Sequence, residues 1–259
     1  VDRDDLLARV AAIQWCHSID LGDGIVTPGL SKTVPPAASQ LPPIAGKSVL
    51  DIGTWDGLNA FAAERLGASR VVALDHYAWG VDMVRRNAYW EACRQEGRMP
   101  DWRLDETEFW DESLPGKAGF DLAREALCSK VEGVVGDFMR LDPATLGTFD
   151  VVLFLGVLYH LREPLAALER VRALTDEVAV IETSAVVVPG HEGEPLLRCY
   201  PANELDGDFG NYFGVSAAGL RALVRMAGFS RLEVTVGPPR LGRRERRPRV
   251  YRLLAHAWV

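Results

Sequence analysis

The sequence predicts an α/β protein built on a mostly parallel sheet, and three observations carry that prediction. Short apolar runs alternate with helical patterns along most of the chain. Those runs are continuously apolar rather than alternating, as strands covered on both faces are. The first run, the helix after it and the next run fall within about thirty residues, the span of a βαβ unit with its right-handed crossover.

The elements follow in order. Leu6, Leu7, Val10 and Ile13 give residues 4–14 a helical stripe. Residues 18–46 carry Gly22, Gly24, Pro28, Gly29, Pro35, Pro36, Pro42 and Pro43, the punctuation of a mostly irregular arm. A strand at Ser48–Ile52 runs into a glycine turn, a helix covers 58–66, and a second strand covers Arg70–Asp75. Residues 77–118 break this rhythm with a helix at 81–95 and four of the seven tryptophans, Trp79, Trp90, Trp102 and Trp110. The insertion reads equally as extra core or as a lid. The alternation then resumes with a helix at 120–130, a strand at 131–136 and a strongly apolar strand at Phe149–Leu155. Pro164 opens a helix over 164–174, at the position where its missing N–H costs nothing. A strand at 178–182, a loop-rich segment at 184–214 and a helix at 216–228 come next. Strands at 231–236 and 250–259 close the chain as an antiparallel pair joined by an arginine-rich loop. The organisation expected is an N-terminal helix and arm over 1–46, then one domain over 47–259 that carries the insertion 77–118 and the loop region 184–214.

At 259 residues, the chain is long enough for one domain with a sizeable core. Its 48% hydrophobic and 25% charged residues are ordinary for a globular protein. A net charge of -7 argues against nucleic acid as the partner, because phosphate neutralisation needs a basic surface. Cys16, Cys93, Cys128 and Cys199 are scattered and form no C-x-x-C pair, so they read as reduced thiols and no metal site is expected. No run approaches the ~18 apolar residues of a membrane span. The acidic start does not resemble a signal peptide. A cytoplasmic protein without membrane contact is expected; the oligomeric state is not legible.

The chemistry sits in Val49-Leu-Asp51-Ile-Gly53-Thr-Trp-Asp-Gly57, a strand running into D-x-G-x-x-x-G. Glycine lets a ligand lie against the main chain and lets the turn reach positive φ. Asp51 can anchor an ammonium group. Asp75 ends the next strand about twenty residues on, where an acid hydrogen-bonds ribose hydroxyls. A dinucleotide site needs G-x-G-x-x-G to seat a pyrophosphate on a helix N-terminus. That spacing is missing, and Asp56 in the turn repels phosphate. The acidic turn suits a cofactor that carries an ammonium and a sulfonium and no phosphate, which describes S-adenosylmethionine and argues against a nicotinamide oxidoreductase.

With Val135-Gly-Asp137-Phe138 and the run from Phe149 through Gly156-Val-Leu-Tyr159-His160-Leu161, the chain resembles the class I S-adenosylmethionine-dependent methyltransferases, closely over 47–183 and more loosely over 216–259. The resemblance implies a Rossmann-like, mostly parallel seven-stranded sheet with helices on both faces and a C-terminal antiparallel hairpin. It implies adenine near Asp137 and Phe138, ribose on Asp75 beside His76, and the methionine part near Gly53, with Leu155 and Tyr159 lining the pocket. The cofactor-binding set is thus Asp51, Gly53, Thr54, Gly57, Asp75, His76, Asp137, Phe138 and Leu155. Gly156-Val-Leu-Tyr-His-Leu with Pro164-Leu165, and Trp15-x-His17-Ser-Ile-Asp-Leu-Gly-Asp-Gly-Ile-Val-Thr-Pro-Gly29, resemble the branch that holds tRNA wobble-uridine carboxymethyl-transferases and bacterial small-molecule methyltransferases. Thr54 and Trp55 depart from the small residues usual in that turn. The arm is shorter than the N-terminal domain the tRNA enzymes imply.

Tyr159 and His160 are the catalytic candidates, His160 as a base because histidine titrates near neutrality. His17, Glu182, Asn211 and Tyr212 are the substrate-binding candidates. Each also has a plain structural reading: a capped helix start, a core histidine, or a loop packing its own side chains. The arginines of loop 240–249 (Arg240, Arg243, Arg244, Arg246, Arg247 and Arg249) read first as a solvated hairpin, since no interleaved aromatics offer base stacking. The expected reaction is methyl transfer to a small-molecule acceptor, with an RNA-directed enzyme or a non-catalytic binding protein as alternatives.

Overall fold

The computed structural model describes residues 2–31, 36, 38–242 and 246–259. Pro35, Arg243 and Arg244 of the sequence patterns above lie outside them. The chain forms two compact units, Val1–Arg140 and Leu141–Val259.

In the first unit the elements run α1 (Arg3–Ala11), β1 (Ser48–Ile52), α2 (Leu58–Arg65), β2 (Arg70–Asp75), α3 (Tyr77–Gly80), α4 (Met83–Glu96), α5 (Leu104–Thr107), α6 (Ala118–Ala126) and β3 (Glu132–Val135). β2 pairs in parallel with β1 on one side and β3 on the other. The register sets Asp51 opposite Ala73 and Ile52 opposite Leu74, so Asp51 and Asp75 both come to the carboxyl end of their strands. Val49, Leu50, Val72 and Ala73 are fully buried, as their continuous apolar runs predict.

α4 starts on Asp82, whose carboxylate accepts the Val84 and Arg85 amides, and stops at Gly97 with φ 67°. α6 is shorter than the helix expected over 120–130. Cys128 takes the left-handed conformation at φ 49°, and the Cys128 and Ser129 amides turn back onto the carbonyls of Glu125 and Arg124. That is a Schellman closure with cysteine in the position glycine usually holds. In the insertion Trp79 and Trp90 are buried, Trp102 meets Trp90 edge-on at 5.2 Å, and the Arg86 guanidinium lies 3.1 Å over Trp90.

Among its described residues the arm has no regular strand, yet it closes on itself. Asp20 bridges Val26, the Leu30 amide donates to Trp15 and the Ser31 amide to Cys16. Thr27 Oγ1 accepts the Ile19 amide and donates to the His17 carbonyl, both at 2.7 Å. A Cβ on Gly29 would stand 2.2 Å from the His17 carbonyl carbon, so only glycine lets the loop return this close.

The second unit runs α7 (Pro143–Leu146), β4 (Phe149–Leu155), α8 (Pro164–Ala173), β5 (Thr175–Val187), β6 (Leu197–Cys199), β7 (Phe213–Val215), α9 (Ala217–Met226), β8 (Arg231–Val236) and β9 (Arg249–Trp258). β4 and β5 are parallel; β9 runs antiparallel to β5 from Val178 to Val187 and carries β8 on its other side. β5 is thirteen residues long instead of the expected five because β9 pairs along most of it. The mostly parallel α/β class and the C-terminal antiparallel hairpin stand as expected. The count of seven strands does not: nine occur among the described residues. The extra two, β6 and β7, are three-residue strands inside the segment expected to be loop-rich. Among the described residues no helix is long and apolar enough to cross a membrane. All four cysteines are free thiols.

Candidate active site

The bend after β1 is fixed almost entirely by its own hydrogen bonds. Gly53 (φ 74°) and Thr54 donate their amides to the Leu74 carbonyl, Trp55 donates to Asp75 Oδ2 at 2.9 Å, and Gly57 donates to the Thr54 carbonyl. Trp55 sits at φ 48°, strained for a non-glycine residue, and is held there by Asp75 on one side and by the Trp79 indole N–H on its carbonyl at 2.7 Å. Gly57 (φ 87°) starts α2, and a Cβ there would stand 2.5 Å from the Phe61 ring.

Three carboxylates gather at this bend with side chains only 1%, 1% and 7% exposed: Asp51, Asp56 and Asp75. Asp51 accepts the Thr54 hydroxyl at 2.7 Å; burial pushes its pKa up to about 6, and the Thr54 hydrogen bond only partly offsets that. Asp75 accepts the amides of Trp55, His76 and Ala78, yet burial also pushes it up to about 6, helped by the charge of Asp56. Among the described residues no lysine or arginine pairs with any of the three. His76 stacks on Trp110 at 4.3 Å. Asp137, a third of its side chain exposed, accepts the Met139 amide at 2.8 Å and lies 3.2 Å from Arg140 Nε, with half-buried Phe138 beside it.

Sequence reading gave Asp56 one role, repelling phosphate. The fold adds another: Asp56 Oδ2 accepts the amides of Cys16 and His17 at 2.7 and 2.8 Å and so pins the arm to the bend. His17 Nδ1 lies 3.6 Å from the same oxygen and its Nε2 3.8 Å from the Cys16 sulfur. The trio puts one ligand atom from each residue within 4.8 Å. It makes a poor metal site, because the Asp56 oxygen already serves two amides. Burial and the Asp56 charge also push the Cys16 thiol up to about 12, away from the thiolate a metal needs.

In the second unit, Leu155 ends β4 half-buried, and Gly156 (φ 76°) turns the chain into the segment that holds Tyr159 and His160. His160 Nδ1 is 2.9 Å from the Gly210 carbonyl, and the Tyr212 amide donates to the Tyr159 carbonyl at 3.0 Å, so the loop before β7 is stitched to these two residues. Asn211 is buried; its amide nitrogen donates to Leu205, while its oxygen has no hydrogen-bond partner. Glu182 is clamped by the Arg252 guanidinium through two hydrogen bonds. The same guanidinium lies 4.7 Å over the Tyr159 ring. Burial raises the Tyr159 phenol above its ordinary pKa, with the Arg252 charge drawing it back. Tyr159, His160, Glu182, Asn211 and Tyr212 thus share one neighbourhood. Arg252, which sequence reading did not select, organises part of it. No local signal singles it out, since Arg249 and His256 share its strand.

Fold and bend together define an α/β protein whose first strand runs into an acidic glycine bend. The methyltransferase-domain family matches residues 30–234, most of the chain, and the protein belongs to that family. No curated protein matches significantly. Among solved structures, the chain is similar to the N-terminal domain of EvdMO1 crystallised with SAH and D-fucose (TM-score 0.67, 20% identity, 100% of this chain and 97% of that one). The same domain with SAH bound matches equally well. Intact EvdMO1 matches with TM-score 0.61 and 21% identity over 99% of this chain; the chain spans 48% of that protein. At such identities the likeness establishes the Rossmann-like fold. Nothing among these matches supports the tRNA wobble-uridine branch.

Proposed function

We propose that this methyltransferase transfers the methyl group of S-adenosylmethionine to a small-molecule acceptor, with the bend after β1 holding the donor and the residues around Tyr159 serving the acceptor. One observation carries the reading: three buried carboxylates meet at a glycine bend without a lysine or arginine partner among the described residues. Such a site favours a cation and disfavours pyrophosphate. The residues fit the donor, since exposed Gly53 offers bare backbone and Asp51 and Asp75 offer acceptor lone pairs. SAH, found on the EvdMO1 domain, is the demethylated product of that donor.

The donor's sulfonium supplies an already activated methyl group, so the chain's residues mainly position and exclude water. Asp51 takes the ammonium and Asp75 the ribose hydroxyls. Thr54 orients Asp51, and Gly57 keeps the turn. His76, Asp137 and Phe138 border the adenine, and Leu155 lines the pocket. Because the Gly210 carbonyl can only accept, His160 Nδ1 donates to it, which fixes the ring that serves as the base. Tyr159, Glu182, Asn211 and Tyr212 orient the acceptor. The insertion 77–118, tied to the bend through Trp79, serves as a lid. Four free thiols suit a reducing, cytoplasmic setting, and a net charge of -7 favours a small acceptor over RNA.

Calorimetry with S-adenosylhomocysteine and with NAD tests this directly. Binding of the first and none of the second is expected; the reverse outcome overturns the reading.

A further inference from the structure

We infer that His17 binds the α-carboxylate of the donor's amino-acid end, which makes the N-terminal arm part of the donor site and moves His17 out of the acceptor-binding set. The inference rests on the donor reading above and goes further by assigning the residue that meets the negative end of the ligand. An α-amino acid head is a zwitterion. Its ammonium finds carboxylates in abundance at this bend, and those same carboxylates repel its carboxylate.

Four of the bend's amides cannot answer that repulsion. The amides of Gly53, Thr54, Trp55 and Gly57 are spent on Leu74, Asp75 and Thr54. A side chain beside them that can donate a hydrogen bond to a carboxylate is His17. Its backbone is held on three sides, by Asp56 on the amide, by Thr27 on the carbonyl and by the close return of Gly29. The imidazole stands edge-on to Trp55, with ring centroids 6.5 Å apart, and it acts electrostatically on Asp51, the proposed ammonium anchor. Asp51 and His17 therefore offer an acceptor for the ammonium and a hydrogen-bond donor for the carboxylate, as a zwitterionic head requires.

The ring is also unsatisfied. Nδ1 is buried with no hydrogen-bond partner, and Asp56 Oδ2 at 3.6 Å is too far to be one. The Cys16 thiol 3.8 Å from Nε2 is a weak partner that a carboxylate displaces. The charged and titratable groups facing the ring are thus Asp56, Asp51 and Cys16.

The test compares two ligands that differ in the amino-acid end. S-adenosylhomocysteine carries it; 5′-methylthioadenosine ends in a methyl group. Calorimetry on the full chain and on His17→Ala is expected to show S-adenosylhomocysteine weakened roughly 10- to 100-fold, with methylthioadenosine within about twofold of the parent. Retained methylthioadenosine binding also certifies that the variant folds. His17→Gln, which keeps a neutral donor, is expected to fall between. Equal weakening of both ligands, or of neither, overturns the assignment while leaving the donor reading intact. A parent protein that binds neither ligand overturns both.

Discussion

The two units handle buried negative charge in opposite ways. At the first unit's bend, Asp51, Asp56 and Asp75 sit together, partnered by amides, a hydroxyl and one histidine ring. In the second unit, Glu182 is neutralised on the spot by Arg252. Burying a carboxylate without a counter-charge is costly, and a fold tolerates that cost where a ligand supplies the missing charge. The first arrangement is unfinished without a cation; the second is complete in itself and can only orient what approaches it. On the proposed function that difference distinguishes the donor's residues from the acceptor's, and each of the following experiments is aimed at it.

The largest effect is expected from glycine substitutions that contrast the two units. Gly57→Val forces a side chain to within contact distance of the stacked Phe61 and Phe120 rings at a φ of 87°. Left-handed strain and overpacking together are expected to cost about 2–5 kcal/mol in urea unfolding. Gly156→Ala has the same kind of φ, 76°, but its Cβ would meet only ordinary contacts, 3.6 Å from Arg252 and 3.8 Å from Glu182. It is expected to lose only the strain, about 1–2 kcal/mol. Equal losses would mean that the bend after β1 is no tighter than the turn after β4.

The same contrast explains what the sequence made legible. The bend, Asp51 and Asp75 could be read directly because a strand, a glycine turn and the next strand end are local patterns with fixed spacing. Asp56 could be noticed but not understood, since its partners, the amides of Cys16 and His17, lie forty and thirty-nine positions away. Arg252 was invisible because its meeting with Glu182, seventy positions back, depends on the antiparallel register of β5 against β9. β6 and β7 were missed for a different reason. Each is three residues long, and β6 is wholly exposed, so neither run is long enough to show a period.

The second experiment turns the acceptor-side arrangement into the donor-side one. Arg252→Ala leaves Glu182, with a side chain 11% exposed, as an uncompensated carboxylate. Breaking a fully buried pair costs about 3–5 kcal/mol. The arginine here is 38% exposed, so solvent screening reduces the expectation to about 1–3 kcal/mol. Glu182→Gln combined with Arg252→Gln is expected to recover part of the loss, because no unpaired charge remains. S-adenosylhomocysteine affinity in these variants should stay at the parental level. If it falls as far as stability does, the division of labour between the units is wrong.

The smallest effect is read in pH and concerns only the first unit. Burial raises Asp51 and Asp75 to about 6, whereas an unfolded chain releases such protons near about 4. Between those values the folded state holds protons that the unfolded state has lost. The stability these two groups contribute is therefore fully present below about pH 4, falls as pH rises to about 6 and is constant beyond. Donor affinity runs the other way, because an ammonium needs Asp51 ionised. Calorimetry from about pH 5 to about pH 8 is expected to show S-adenosylhomocysteine tightening roughly tenfold through pH 6 and then levelling, for one proton released on binding. Asp51→Asn should bind more weakly at neutral pH and lose most of this slope, since its amide has no proton to shed in that range. A parent affinity flat across the whole interval would mean that the ammonium lies elsewhere, and that the bend's acidity serves the arm rather than the donor.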